Sequence, residues 1–587
     1  MKQYKIIPLF LLGLILSFQS CQMLDPENDN HSTSERLLKD PNFAEGLLMR
    51  AYNTIPTNGY RFDEVATDDA VSNDKLNGFL RMATGEWSAM NNPQDFWTSS
   101  NRAITYINEF LTIVDEVPWK WTDKELNDLY VKRLKGESYA LRGMFKYFLL
   151  RNHGGFATNG ELLGGQIFDK FPLAQEDFSQ PRATFTEYVN SANADLDEAL
   201  KYLPLDYGDV KSLSDVSSIF SGISNLDKYN TVFGNYTQQR MSGRHAKAIK
   251  ARLALLIASP AFNTNNDITL WERAASLNGE LLDAIGGVNG LDPKGHIFYL
   301  KAQIDAADLN AGDKKDIPEI LWRQPIYTNR TREVNNFPPS LFGDGDTNPS
   351  QNLVDAFPML NGCPINNVNS GYNPSSPYTK RDPRLALYVV YNGSKMSGST
   401  INTGFGGGVN ALDSLENSTR TGYYLRKLLR EDVNANPSKP SDQKHFETHI
   451  RYTELFLNYA EAANEAWGPT NAGTYGFSAK DVIAAIRKRA GITQPDEYLN
   501  SITSKDAMRE LIQNERRLEL CFEGFRFWDL RRWKKDLKEA VKGVRIQNNT
   551  YSYFNVEERA YDNNYMHYGP VPNQDVVEFG ITQNAGW

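Results

Sequence analysis

Apolar residues recur at intervals of three and four in long stretches toward both ends of the chain and lose that rhythm in its middle. Over 95–116, Phe96, Ala103, Ile107, Phe110 and Val114 fall on one helical face, and Pro118 ends the pattern. Over 122–152, Leu134, Ala140, Leu141, Met144, Tyr147 and Phe148 repeat it until His153-Gly154-Gly155 supplies a C-terminal stop. Together these predict two antiparallel helices joined by a Pro-containing turn. Further helices are predicted over 42–52, 186–202, 245–259, 268–285, 449–467 and 479–490, several closed by Gly or Pro. Between 286 and 441 the period gives way to Gly, Pro, Asn and Ser, with short strand-like runs at 386–391 and 423–428. No strict repeat exists, but the alanine-rich hairpins look like degenerate tetratricopeptide pairs. The pattern predicts a mainly α protein, and a chain of 587 residues would by length alone suggest several domains. A helical scaffold occupies about 41–285 and 449–587, and a loop-rich region with short strands about 286–448. A loop-rich region of that length inside a compact chain points to function.

The last helical stretch, 504–533, is unusual in its charge. Ser504 is a plausible N-cap, and Met508, Leu511, Ile512, Leu518 and Phe522 form one apolar face. Four acids (Glu515, Glu519, Glu523, Asp529) alternate with Arg516, Arg517, Arg526, Arg531 and Arg532, and five large aromatics are threaded among them. So many charges among so many rings cannot all be solvated. Two readings follow: a catalytic carboxylate pair, or a clasp of buried ion pairs. An arginine close to each acid would hold its pKa low, which favours the clasp.

Composition narrows the function classes. The net charge of −9 leaves no basic surplus for a phosphate backbone, so nucleic acid is excluded as a partner. Aromatic residues make up 12% of the chain, with 29 Tyr and 10 Trp; beyond a core, their use is stacking on sugar C–H faces. At the N-terminus, Lys2 and Lys5 precede an apolar run over 6–16 that is too short to span a bilayer. The run ends at Ser20-Cys21, which predicts a signal peptide over 1–20 and lipidation of Cys21; secretion without lipid is the alternative. Residues 21–40 read as an acidic polar tether. Cys363 and Cys521 are too far apart in sequence to suggest a disulfide scaffold.

Two loops mix aromatic, carboxylate, amide and guanidinium groups without helical period, the mixture that sugar rings require. The first is ATDDAVSNDKLNGFLRMATGEWS, with Asp68, Asp69, Arg81 and Trp87. The second is WRQPIYTNRTREVNNFPPSLFGDG, with Trp322, Tyr327, Asn329, Arg330 and Arg332. Tyr372 and Phe405 are weaker additions. Solvated loops anchored by buried rings are the competing structural reading. Asp344, Asp346, Asn348 and Asp355 imitate a calcium loop, but Pro349 stands where glycine is required. His445 and His449 lack a third ligand and the Glu of a zinc-protease motif. No metal, cofactor or catalytic residue is expected.

NERRLELCFEGFRFWDLRRW resembles the C-terminal signature of the SusD/RagB family, surface lipoproteins of glycan and peptide uptake. ALRGMFKYFLLRNHGG, RHAKAIKARLALLIASPAFN, TNPSQNLVDAFPMLNG, YTKRDPRLALYVVYNG, TGYYLRKLL, RYTELFLNYAEAANEAWG, AAIRKRAGI and GPVPNQDVVEFGITQNAGW resemble further segments in family order. The resemblance implies a single domain over 41–587 with a SusD-like fold of helical hairpins and a ligand-presenting insertion. It also implies a TonB-dependent, SusC-like outer-membrane barrel as partner, surface exposure at the outer membrane, and ligand contacts near Asp68–Trp87. The expected function is non-enzymatic capture of an oligosaccharide for import. Peptide cargo on the same fold, or a secreted glycoside hydrolase, are the alternatives.

Overall fold

The structure, a computed structural model, describes residues 38–56, 62–172, 178–308 and 316–587. The leader, Cys21 and residues 22–37 of the tether lie outside the described residues. The principal helices are α1 Pro41–Thr54, α2 Trp97–Ile113, α3 Lys124–His153, α4 Phe185–Ala199, α5 Gly243–Ala258, α6 Ile268–Asp283, α7 Tyr452–Trp467, α8 Ala479–Ala490, α9 Lys505–Glu519 and α10 Arg526–Arg532. The fold is mainly α.

Local chemistry sets the helix starts. The Asp40 carboxylate accepts from the Asn42 N–H at 3.0 Å, with Pro41 at the first helical position of α1. Asp123 caps α3 through the Leu126 N–H at 3.1 Å, and Thr184 and Glu187 form a capping box on α4. Neighbours in sequence pack as neighbours in space: α1 on α2, α2 on α3, α3 on α4, α5 on α6, then α6 on α7 and α7 on both α8 and α9. The α3–α4 contact is close because α3 carries glycines there. A Cβ at Gly143 would meet Leu196 at 2.7 Å, and one at Gly136 would meet Leu203 at 2.5 Å.

The strands are short, antiparallel and paired in twos. The principal ones are β1 Ala70–Ser72, β2 Ile320–Arg323, β3 Tyr327–Asn329, β4 Thr347–Pro349, β5 Val389–Val390, β6 Tyr424–Leu425, β7 Gln443–His445, β8 Thr448–Arg451, β9 Val541–Gln547 and β10 Thr550–Glu557. The pairs are β1–β4, β2–β8, β3–β7, β5–β6 and β9–β10. The expected strand over 386–391 is split: its first half lies in a helical turn, Pro383–Tyr388, because Asp382 accepts from the Arg384 N–H at 2.9 Å and Pro383 starts the turn, and Val389–Val390 pair as β5. The expected helix at 449 starts only at Tyr452, since β8 pairs with β2 first. The β9–β10 hairpin has no counterpart among the expected elements. Its turn, Asn548-Asn549, has both residues at positive φ (51° and 60°), which asparagine tolerates and a two-residue hairpin needs.

Two apolar cores result. One fills the helical scaffold. The other lies under the loops and gathers Phe79, Trp87, Phe337, Tyr388, Phe522 and Val544. The 504–533 stretch crosses between them: Met508, Leu511 and Ile512 belong to the first core, Leu518, Phe522, Phe527 and Trp528 to the second.

Its charges form the clasp, though mostly not with one another. Glu515 pairs with Arg384 (2.9 Å) and Arg487 (2.8 Å); Glu519 with Arg489 (2.6 Å) and Arg384 (3.1 Å); Glu523 with Lys427 (2.6 Å) and Arg451 (2.7 Å). Asp529 does take arginines of its own stretch, Arg516 and Arg532. Burial pushes the Glu519 carboxyl upward, but Arg489, Arg451 and Arg384 outweigh it and hold the group well below the usual range. A carboxylate fixed in that state is a structural group, not an acid–base catalyst.

Candidate functional site

The clearest aromatic surface stands on the loop-rich half. Tyr378 is its centre: Tyr391 stacks on it with ring centres 4.3 Å apart and planes 20° apart, and Tyr551 meets it edge-on at 5.9 Å. Tyr423 supports the group from below, fully buried; its hydroxyl donates to Gln351 Oε1 at 2.5 Å and lies 3.2 Å from that of Tyr378. Tyr551 and Tyr553 arrive from β10, where the two-residue alternation of a strand puts both on one side, opposite Ile546 and Val544 of β9. Tyr372 joins Tyr553 through their side-chain oxygens. Four chain segments thus supply five tyrosines, all but Tyr553 half-buried and Tyr553 47% exposed.

A buried cation and a half-buried acid lie under the rings. The Arg381 guanidinium lies 5.6 Å from the centre of the Tyr372 ring and is held by the carbonyls of Pro377 (2.8 Å) and Phe357 (2.6 Å). Asp355 accepts from Gln351 at 2.7 Å, and burial raises its pKa. Burial likewise raises the pKa of the Tyr378 and Tyr553 phenols, so both remain hydroxyl donors at neutral pH. Ring faces and phenol hydroxyls together can seat the C–H face of a sugar ring and hold its hydroxyls, with the Arg381 guanidinium braced beneath them. On the edge of the same hairpin, the Phe405 N–H donates to Ile546 O at 2.8 Å. The ring of Phe405 is 81% exposed and borders a cavity of about 500 Å³ with Arg545 and Gln547.

The residues singled out from sequence go to several places. Asp68 and Asp69 are buried in the clasp. Arg517 Nη2 meets Asp68 at 2.7 Å, Arg526 meets it at 2.9 Å, and Arg517 Nε donates to Asp69 at 2.8 Å. Burial works to raise the Asp68 pKa, but the two arginines hold it below the usual range. Trp87 requires correction as a stacking platform. It is 5% exposed, its indole N–H donates to Asn92 Oδ1 at 2.9 Å, and Phe527, Tyr561 and Trp587 meet it edge-on at 5.7, 5.9 and 4.7 Å. No ring face is left for a ligand. Trp322 is corrected likewise: it lies between His245 (5.0 Å) and His449 (4.3 Å) and donates to Gln239 O at 3.0 Å.

Arg81 is exposed and paired with nearby Glu86. Tyr327, Asn329, Arg330 and Arg332 do come together around β3, but as structural contacts. Arg332, buried, donates to the Tyr327 hydroxyl at 2.7 Å; Asn329 pairs with Gln443 across β3–β7; Arg330 meets Asp442 at 2.7 Å. Of the candidates, Tyr372 belongs to the tyrosine face. Tyr378, Tyr391, Tyr551 and Tyr553 were missed. The alternating Tyr551-Ser552-Tyr553 after an Asn-Asn pair was the available signal for two of them.

Comparison with known proteins places the chain among related ones. Residues 318–587 match the SusD family, and residues 22–226 match a second family described as starch-binding and associating with the outer membrane. SusD-like protein P38 of Formosa agariphila is 23% identical over 550 residues, covering 91% of this chain and 93% of that protein. SusD-like protein P25 of the same organism is 26% identical over 197 residues, 33% of this chain and 34% of that one. A SusD-like protein of Bacteroides fragilis superposes with a TM-score of 0.70 at 22% identity, over 94% of this chain and 99% of its own. A laminarin-binding SusD-like protein superposes with a TM-score of 0.53 at 19% identity, over 94% and 100%.

Proposed function

The chain belongs to the SusD/RagB family, and from that premise we propose that it is a surface lipoprotein that captures oligosaccharide or polysaccharide at the tyrosine face. Cys21 carries the lipid, residues 22–40 tether the fold to the outer membrane, and a TonB-dependent, SusC-like barrel receives the glycan. The observation that carries the reading is the convergence of Tyr372, Tyr378, Tyr391, Tyr551 and Tyr553 on one partly exposed surface, with Arg381 and Asp355 beside them. A surface built for packing alone would bury those rings, as the fold does with Tyr388 and Tyr424. The second family's starch-binding description and the laminarin-binding relative favour sugar as the cargo.

Few stacked rings on a partly exposed surface set the affinity on the order of micromolar to millimolar. Affinity electrophoresis in gels loaded with a polysaccharide panel, laminarin and starch included, tests the reading. One or more glycans retard the protein without being cleaved. The double variant Tyr551→Ala/Tyr553→Ala weakens the retardation by about tenfold, the loss of roughly 1.4 kcal/mol. Cleavage of the glycan would refute the binding role; full retardation of the double variant would refute the location.

A further inference from the structure

Where the two cores meet, a cavity of about 440 Å³ lies between α3, α5, α7 and the turn into α10. Its walls are aromatic and charged at once: Tyr147, Phe148, Phe525 and Trp528 beside Asp63 and several arginines. Most of those arginines are neutralised. Arg252 holds Glu454 at 2.7 Å, Arg516 holds Asp529 at 2.7 Å, and Arg532 holds Glu461 at 2.6 Å.

Arg151 is different. It is half-buried, its Nε donates to the adjacent Asn152 Oδ1 at 3.1 Å, and no carboxylate among the described residues lies within ion-pair distance. Its guanidinium sits 4.3 Å from the Trp528 ring centre and 5.0 Å from that of Phe148. A second cation touches the same indole: Arg531, at 4.8 Å, donates from Nε to His567 O at 2.9 Å and leaves Nη1 without a partner. Burial pushes the Arg531 pKa down to about 9, with Arg151 adding to the effect. Cation–π contact offsets only part of what removing two guanidiniums from water costs, and the missing partner is an anion.

The Asp63 carboxyl in the lining interacts with the Arg151 charge but lies beyond ion-pair distance. Asp63 accepts from Gln94 at 2.9 Å through Oδ2, leaves Oδ1 unpartnered, and has its pKa raised by burial. Asp95, also in the lining, accepts the Trp97 N–H at 2.8 Å.

We propose that this cavity is a binding site for a small acidic solute, with a carboxylate or sulfate group seated on Arg151. The paired N–H groups of a guanidinium match the oxygens of either group. The aromatic walls and the Asp63 carboxyl suit the ring and hydroxyls of an acidic monosaccharide, and the volume falls in the range of small-molecule pockets. The site is separate from the tyrosine face and does not depend on it.

Isothermal titration at constant ionic strength, with glucuronate, galacturonate, sulfate, phosphate and glucose, tests the assignment. Saturable binding of at least one oxyanion, with none of glucose, is expected. Arg151→Gln weakens it tenfold or more, Arg151→Lys recovers part of the loss, and Tyr551→Ala/Tyr553→Ala leaves it unchanged. Binding of uronates alone marks an acidic sugar site; equal binding of sulfate or phosphate marks an inorganic oxyanion site. Absence of oxyanion binding, or binding that Arg151→Gln leaves intact, overturns the proposal. Should the glutamine variant fail to fold, selenate soaked into wild-type crystals decides by anomalous scattering. A peak within hydrogen-bond reach of Arg151 supports the site, and peaks only elsewhere, or none, overturn it.

Discussion

Replacing Arg384 with methionine isolates what the clasp contributes. Arg384 is fully buried and faces three carboxylates: Asp382 at 2.7 Å, Glu515 at 2.9 Å and Glu519 at 3.1 Å. Methionine keeps much of the length and removes the charge. Glu515 then still holds Arg487 at 2.8 Å, and Glu519 still holds Arg489 at 2.6 Å. Asp382 keeps only the cap from the residue-384 N–H, so it becomes the stranded acid. Breaking a buried pair costs roughly 3–5 kcal/mol, and with two of three acids still partnered the loss should fall near the lower end, about 3 kcal/mol. Neutralising the stranded group with Asp382→Asn in the Arg384→Met background should recover about 1–2 kcal/mol, a coupling expected between residues in one network. Urea unfolding followed by tryptophan fluorescence and circular dichroism reads both quantities. Glycan retardation by the folded variants stays at the wild-type level. A loss under about 1 kcal/mol, or a double variant no better than the single, would mean that water reaches these charges and the clasp is not a desolvated network. Lost retardation with stability intact would instead place the stretch in the binding site.

Three further outcomes follow from the same structure. Trp87→Ala empties a position walled by Phe527, Tyr561 and Trp587, so it should cost about 3–5 kcal/mol while folded protein still binds glycan; thermal unfolding and gel retardation check both. His153 is buried with Nδ1 2.6 Å from Pro570 O and Nε2 accepting from the Phe96 N–H at 3.1 Å, and burial pushes its pKa down to about 3. The unfolded chain therefore binds the extra proton between about pH 6.5 and 3, so its share of the stability is full above that window and falls as pH drops through it. At pH 5 the loss is about 2 kcal/mol, and His153→Gln should flatten the profile between about pH 8 and 5 by that amount, read by urea unfolding at each pH. Cys21→Ser should move the protein from the membrane fraction to the soluble one when cells are fractionated, and an unchanged distribution would count against the lipid anchor.

What could be read from sequence was whatever local periodicity encodes. The helices of both halves announced themselves because each buries one face and ends on Gly, Pro or a capping side chain. The signature around Glu519 was legible as a clasp because charges and rings at that density leave few other solutions. Its partners were not, since Asp68 and Asp69 meet Arg517 and Arg526 across about 450 residues. The same distance problem explains Trp87. Polar neighbours in sequence suggested an exposed loop, whereas its surroundings come from α10 and the C-terminal segment. The tyrosine face failed to appear for the converse reason: Tyr372, Tyr378, Tyr391 and Tyr551 sit in unremarkable loop and strand sequence, and the fold brings them together by stacking Tyr391 on Tyr378 and laying the β9–β10 hairpin beside them.

The span of the clasp also fixes an order of events in synthesis. Asp68 and Asp69 leave the ribosome in the first eighth of the chain, and the arginines that neutralise them come in its last eighth. Until then the N-terminal helices can pair locally, but the second core cannot close over two uncompensated acids. A chain truncated before Arg517 would keep most of its helices and still present an open, charged seam. The seam closes only once Arg517 and Arg526 have reached Asp68 and Asp69, which makes it a place where the fold opens by local unfolding when those pairs are lost.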